Sequence, residues 1–421
     1  MKKTMQINKT EELLKSNQKY LNWFVFFSLF PLIKIAGISI TFFIFIAYCY
    51  ILIKNKIKIF KIETKTDIIL LTFLFFLILS SLFAEETARD RSYFSLFKLT
   101  IQYIYWVIVA LHIKTWIEKY DYLEISKFVF YAVVVSTLYY ITINRFYVVF
   151  YPNEFAFTIV LALPLAFYYM IKKFSNTQLV LVISFILLGI FWSESRTGLA
   201  LVLFELVLLI YINNSKVRIV SVFFILLVVP LVYLTYSIVD LQKEDIKNIK
   251  YEIADIVEDI SPKFAYTLRL EQNVLERDKS FLIRKLMIQK GEQIFEEHPF
   301  LGIGIGNFTY YSVDLDMTQA SHWLKRGEER YNKVSSQNTY LKIITETGII
   351  TSFFLLLIFI ILIIYGLKYL IVIKDQVKLF IFVSFLSLII YGFILVTIQG
   401  AKFWILLGLT MAIIDNKKEI T

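Results

Sequence analysis

The spacing of the apolar residues limits this chain most. They collect into runs near residues 21–33, 36–53, 67–83, 94–113, 123–142, 154–171, 178–192, 197–213, 218–239, 348–367, 378–397 and 402–414. About 20 mainly apolar residues cross the roughly 30 Å hydrocarbon core of a bilayer. Runs this frequent, with 58% hydrophobic and only 19% charged residues, exclude a soluble globular chain. In hydrocarbon the backbone must satisfy its own polar groups, so the spans are helices. The expected fold is all-α: a polytopic membrane helix bundle of about twelve spans by hydropathy, with one large extracytoplasmic helical loop.

The short loops set the orientation. Lys2, Lys3, Lys9, Lys15 and Lys19 precede the first run, and Lys54, Lys56, Lys58, Lys61 and Lys65 follow the second. Lys114, Lys119, Lys172, Lys173, Lys216, Arg218, Lys368, Lys374, Lys417 and Lys418 fall on that same side. The other side holds Arg89, Arg91, Arg145, Arg196 and Lys402. Basic short loops stay inside, so both termini are expected to be cytoplasmic. The expected organisation is residues 1–239 as N-terminal transmembrane helices 1–9, 240–347 as an extracytoplasmic loop with amphipathic helices, and 348–421 as transmembrane helices 10–12. The net charge of +10 follows from the same bias, and no nucleic-acid partner is expected. No small-residue cleavage site follows the first run, which is expected to act as a signal anchor. The single cysteine, Cys49, excludes an intramolecular disulfide and a cysteine-based zinc site.

A loop near a hundred residues long argues for function, because connections without a task are short. Within it, Ile246, Ile249, Ile253, Ile256 and Ile260 recur at helical intervals and predict an amphipathic helix. The segment SFLIRKLMIQKGEQIFEE predicts a second helix, which leads into EEHPFLGIGIGNF at 296–308. The glycines Gly304 and Gly306 lie in neither a strand–turn–helix dinucleotide motif nor a Walker loop. Two readings stay open: a tight turn needing positive φ, and a nest of backbone N–H groups for an anion. His298 and His322 both lie in the loop and are candidate general bases, while His112 closes a span and reads as structural. In WSESRTGLALVLFEL, Arg196 stands at the external mouth. It either pairs with Glu194 through a non-helical turn or receives an anionic group bidentately.

Five segments, in this order, resemble the O-antigen ligase and polymerase superfamily. They are YPNEFAFTIVLALPLAFYY with Asn153, SESRTGLA with Arg196, Arg284 fourteen residues before His298, HPFLGIGIGNF, and SQNTYLKIITETGII with Gln337, Asn338 and Glu346. Ligases of this superfamily carry a histidine where this chain has Gln337, and glutamine takes no proton at neutral pH. That departure leans toward the polymerase branch.

The resemblance implies a metal-independent membrane glycosyltransferase of the bacterial inner membrane, without cofactors. It would act on the external face in surface polysaccharide assembly. The donor would be an undecaprenyl-diphosphate-linked oligosaccharide, and the acceptor another lipid-linked repeat unit in a polymerase or lipid A-core in a ligase. Membrane lipid and a chain-length regulator protein are the implied partners. Arg196 and Arg284 are expected to face the diphosphate. His298, His322 and Glu346 are the candidate bases, and Asn153, Gly304, Gly306, Gln337 and Asn338 the candidate binding residues. A lipid-linked oligosaccharide flippase is the reading from another class. It would need charges along several spans, whereas the candidates here gather at one side.

Overall fold

The computed structural model describes residues 18–30, 34–35, 38–82, 93–144, 151–193, 195–212, 279–313, 334–372, 375–393 and 395–415. The run at 218–239, the amphipathic segment at 246–260, Glu194 and His322 lie outside the described residues.

What is described is helical, apart from a two-residue antiparallel ladder. The helices are α1 (Gln18–Leu29), α2 (Ile40–Lys54), α3 (Lys65–Leu82), α4 (Tyr93–Trp116), α5 (Tyr122–Thr142), α6 (Pro152–Lys173), α7 (Asn176–Trp192), α8 (Arg196–Ile212), α9 (Lys279–Glu297), α10 (Thr339–Val372), α11 (Gln376–Tyr391) and α12 (Ala401–Asp415). Strands β1 (Lys34–Ile35) and β2 (Ile38–Ser39) pair Lys34 with Ser39 between α1 and α2. Among the described residues, α3, α5, α6 and Thr339–Leu367 of α10 are long and apolar enough to cross a membrane. Helices α2, α7, α8, α11 and α12 are shorter and apolar. This is a multi-pass helical membrane protein.

Local chemistry sets the helix starts. Ser175 and Gln178 form a reciprocal capping box on α7. Asp121 accepts from Leu123 N at 2.8 Å to open α5, and Asp375 accepts from Val377 N at 3.0 Å to open α11. Helix α6 is apolar on every side and is buried from Phe155 through Phe167, as a central helix must be. Helices α5, α7, α8 and α11 pack around it, while α12 packs on α4 and α10 on α3. Large apolar side chains such as Phe75, Leu181, Phe353 and Ile364 stay exposed on outer faces, which suits contact with lipid.

Residues 55–64 are bound to the ends of α3 and α4. Lys114 pairs with buried Asp67 at 2.7 Å, and Asp67 also accepts from Glu63 N and Thr64 N at 2.9 Å. His112 donates from Nδ1 to Ile59 O at 2.7 Å, the structural role its position suggested.

Candidate functional site

Two polar assemblies lie at the same end of the bundle, joined through the end of α11. The first is a junction of three helix ends. Pro152 occupies the first turn of α6, where its missing N–H costs nothing. Between α7 and α8, Ser193 Oγ donates to Ile190 O at 2.6 Å and accepts from Ser195 N at 3.3 Å. Ser195 caps α8, its Oγ accepting from Gly198 N at 3.3 Å. A Cβ on Gly198 would meet Ala156 Cβ at 2.3 Å, so glycine lets α8 close against α6. Ser195 Oγ donates to Asn153 Oδ1 at 3.0 Å, and Tyr391 OH donates to Asn153 O at 3.0 Å. The Tyr391 and Ser195 hydroxyl oxygens are 3.5 Å apart.

Arg284 of α9 approaches this junction, close enough for its charge to act on the Tyr391 hydroxyl. Its Nε is buried and has no hydrogen-bond partner among the described residues. Arg196 is the first residue of α8 and follows Ser195 directly, but its side chain lies outside the described set. The junction therefore gathers Asn153 and the positive N-terminal end of α8, with the charge of Arg284 acting on Tyr391. With Oδ1 of Asn153 bonded to Ser195, its amide N–H groups are the donors left to face a ligand. An anionic group suits such a set.

The second assembly answers the question of the glycines. Gly302, Gly304 and Gly306 have φ of +67°, +87° and +75°, so the turn reading holds. Helix α10 is interrupted at Gly348, whose φ of 73° and ψ of 179° fall where essentially only glycine goes. The break frees backbone carbonyls at the end of its first part, and the glycine loop takes them. Ile303 N donates to Thr345 O at 3.0 Å and Gly304 N to Glu346 O at 2.8 Å, while Ile349 N donates to Pro299 O at 2.9 Å. Ser80 Oγ of α3 lies 2.6 Å from Leu301 O and 2.9 Å from Glu346 O and donates to either. The amides of Ile303 and Gly304 thus bind protein, not an anion. A Cβ on Gly302 would strike the Thr345–Thr347 backbone at 2.5–2.6 Å, so the close approach is itself a glycine requirement.

Glu346 is buried in this contact. Its Oε1 accepts from Lys342 Nζ at 2.8 Å and from Phe308 N at 3.3 Å. His298 Nε2 lies 3.1 Å from Tyr311 OH, and that hydroxyl donates to Glu297. Lys290, fully buried on α9, stacks over the Phe308 ring at 5.0 Å, and burial pushes its ammonium down to about 8.

Asn338 caps α10, with Oδ1 accepting from Tyr340 N at 2.9 Å and Leu341 N at 3.0 Å and Nδ2 donating to Phe393 O at 3.2 Å. Gln337 sits before it at φ +51°, the left-handed region. Thr339 ties the same end to the segment after α11, through Thr339 N to Gly392 O at 2.7 Å and Oγ1 to Leu395 O at 2.8 Å.

Of the sequence-predicted residues, the structure sets Asn153 against Ser195 at the start of α8, and the charge of Arg284 acts on Tyr391 in the same junction. It places Gly304 and Glu346 in one contact, and Gln337 and Asn338 at the head of α10. His298 stands apart with Tyr311 and Glu297. Sequence reasoning missed Tyr391, Ser195, Lys342 and Lys290. Only the Lys342–Glu346 spacing, one helical turn apart, carried a signal.

A family described as O-antigen ligase matches residues 179–356 of the chain. No curated protein matches it.

Proposed function

We propose, from the match of residues 179–356 to the O-antigen ligase family, that this chain is a polymerase of bacterial surface polysaccharide. It acts on the external face of the inner membrane, in a layout of about twelve spans with both termini in the cytoplasm. The donor is a glycan on undecaprenyl diphosphate and the acceptor another lipid-linked repeat unit. A chain-length regulator is the proposed protein partner.

The observation that carries this reading is the junction at Tyr391. There Arg284, whose buried Nε has no hydrogen-bond partner among the described residues, acts on the Tyr391 hydroxyl, which bonds Asn153 next to Ser195 and the start of α8. In glycosyl transfer the acceptor hydroxyl oxygen attacks the anomeric carbon. The bond from that carbon to the diphosphate oxygen breaks, and its electron pair leaves with the lipid diphosphate. Negative charge grows on the leaving group, and fixed guanidinium and amide donors in a site of low polarity stabilise it. The acceptor's proton passes to a base; among the described candidates His298 is bonded to Tyr311 and Glu346 is held by Lys342. Gln337 in place of the ligase histidine favours the polymerase over the ligase.

The test is a deletion strain complemented with wild-type or Arg284→Lys protein. Loss of a polymerase leaves single repeat units on the final acceptor, whereas loss of a ligase leaves long chains on the carrier. Arg284→Lys at normal protein level is expected to lower activity by roughly one to three orders of magnitude, because lysine keeps the charge and loses the fork. Long carrier-bound chains would replace the polymerase with the ligase. Full activity of Arg284→Lys would remove Arg284 from the diphosphate.

A further inference from the structure

The seam between α8 and α11 continues inward from the junction. On α11, Ser384, Ser387 and Tyr391 recur at helical spacing on one face, and all three are buried. On α8, Val202, Glu205 and Leu209 form the facing buried stripe. Glu205 lies ten residues below Ser195, about 15 Å along the axis at 1.5 Å per residue. Its exposure is 0%. Neither carboxylate oxygen and neither serine hydroxyl makes a well-formed hydrogen bond among the described residues, although Ser387 stands close enough to act on the carboxyl.

These serines behave unlike Ser28, Thr137 and Thr410; Ser126, Ser136 and Thr351 are left over in the same way, but Ser387 also acts on a buried carboxyl. Ser28, Thr137 and Thr410 turn their hydroxyls back to the carbonyl one turn earlier, as helical Ser and Thr commonly do. Ser384 and Ser387 do not. Four buried oxygens on two touching helices are thus left over, in a protein interior where such groups normally find partners. A carboxylate there also needs a positive charge, and no described lysine or arginine acts on it. A proton would occupy one of these oxygens and reach one more. A small hard cation takes several oxygen ligands at once, and intramembrane cation sites are built from such groups between helices.

We propose that Glu205, Ser384 and Ser387 form an intramembrane site for one sodium ion. The site stands one step behind the Tyr391 junction and locks α8 to α11. It depends on none of the glycosyl-transfer chemistry.

The test uses purified full-length protein in detergent and dicyclohexylcarbodiimide, which modifies carboxyl groups in apolar surroundings. Labelling at Glu205 is read by peptide mass spectrometry in sodium chloride and in choline chloride of equal ionic strength, with Glu205→Gln as the blank. Sodium is expected to slow labelling about tenfold, corresponding to about 1.4 kcal/mol. Ser387→Ala, which leaves the carboxyl in place, is expected to lose most of that protection. Equal labelling in the two salts means that a proton alone occupies the carboxyl, and it overturns the proposal. So does a Glu205 that is unlabelled in both salts, or protection that survives Ser387→Ala undiminished.

Discussion

Phe300 O lies against the α-carbon of Gly348 so closely that a Cβ there would meet it at 2.0 Å. This one approach couples the glycine loop to the break in α10. Gly348→Ala therefore meets both a forbidden backbone conformation and a clash. The expected loss is roughly 2–4 kcal/mol, read as a lower melting temperature in detergent and less protein in the membrane. A variant that melts with the wild type would show that the break tolerates a side chain.

Gln337 tests the opposite direction. Its φ of +51° costs a non-glycine residue energy that glycine does not meet. Gln337→Gly is expected to keep chain elongation and to be neutral or stabilising by up to about 1 kcal/mol. Loss of activity in a stable protein would return Gln337 to the chemistry.

Glu346 separates a base from a structural acid. Glu346→Gln leaves Lys342 buried without its charge partner, at a cost of about 3–5 kcal/mol. The double variant Lys342→Met/Glu346→Gln removes both charges and is expected to recover most of that stability. If the pair is structural, glycan length recovers with it. If the double variant is stable and inactive, Glu346 is the base.

Lys290 supplies a pH dependence. Its folded value of about 8 lies below the unfolded value of about 10.4, so between those values the unfolded chain binds more protons. Stability then rises with pH across that window. Lys290→Met is expected to melt higher than wild type at pH 7, by an order of 2–3 kcal/mol, and the gap should close toward pH 10. A gap constant with pH would mean that Lys290 keeps its charge at no cost.

Topology is checked with single cysteines in a Cys49→Ser background. Asn55 and Ser312 are both exposed, so accessibility differs only by compartment. An impermeant maleimide added to intact cells is expected to label Ser312→Cys and spare Asn55→Cys. Equal labelling from outside would reject the orientation.

The helices were legible because hydropathy and period are local. Even so, the apolar run that begins at 348 hid where α10 starts. Residues 339–347 are more polar, yet they fold as helix because Asn338 caps them and the glycine loop takes their last carbonyls. Asn338 stood out in the sequence as a binding residue, and its cap bonds are equally what that residue type does before a helix. Tyr391 was not legible. It is one of 27 tyrosines, and its role comes from the packing of α11 on α6, which no local pattern encodes. Arg284 and Asn153 were found through resemblance; that Asn153 bonds the Tyr391 hydroxyl while the charge of Arg284 acts on it required the fold.

That arrangement limits how the site can be transplanted. The stretch matched by the family ends at 356 and begins at 179, yet Asn153 lies before it and Tyr391 after it. A chimera that moves only the matched stretch into a relative would carry Ser195 and Arg284 to a host whose own α6 and α11 must supply the other two partners. Exchange of donor preference between relatives should therefore succeed only when residues 151–158 and 384–397 travel with the matched stretch, as one inherited unit split across the chain.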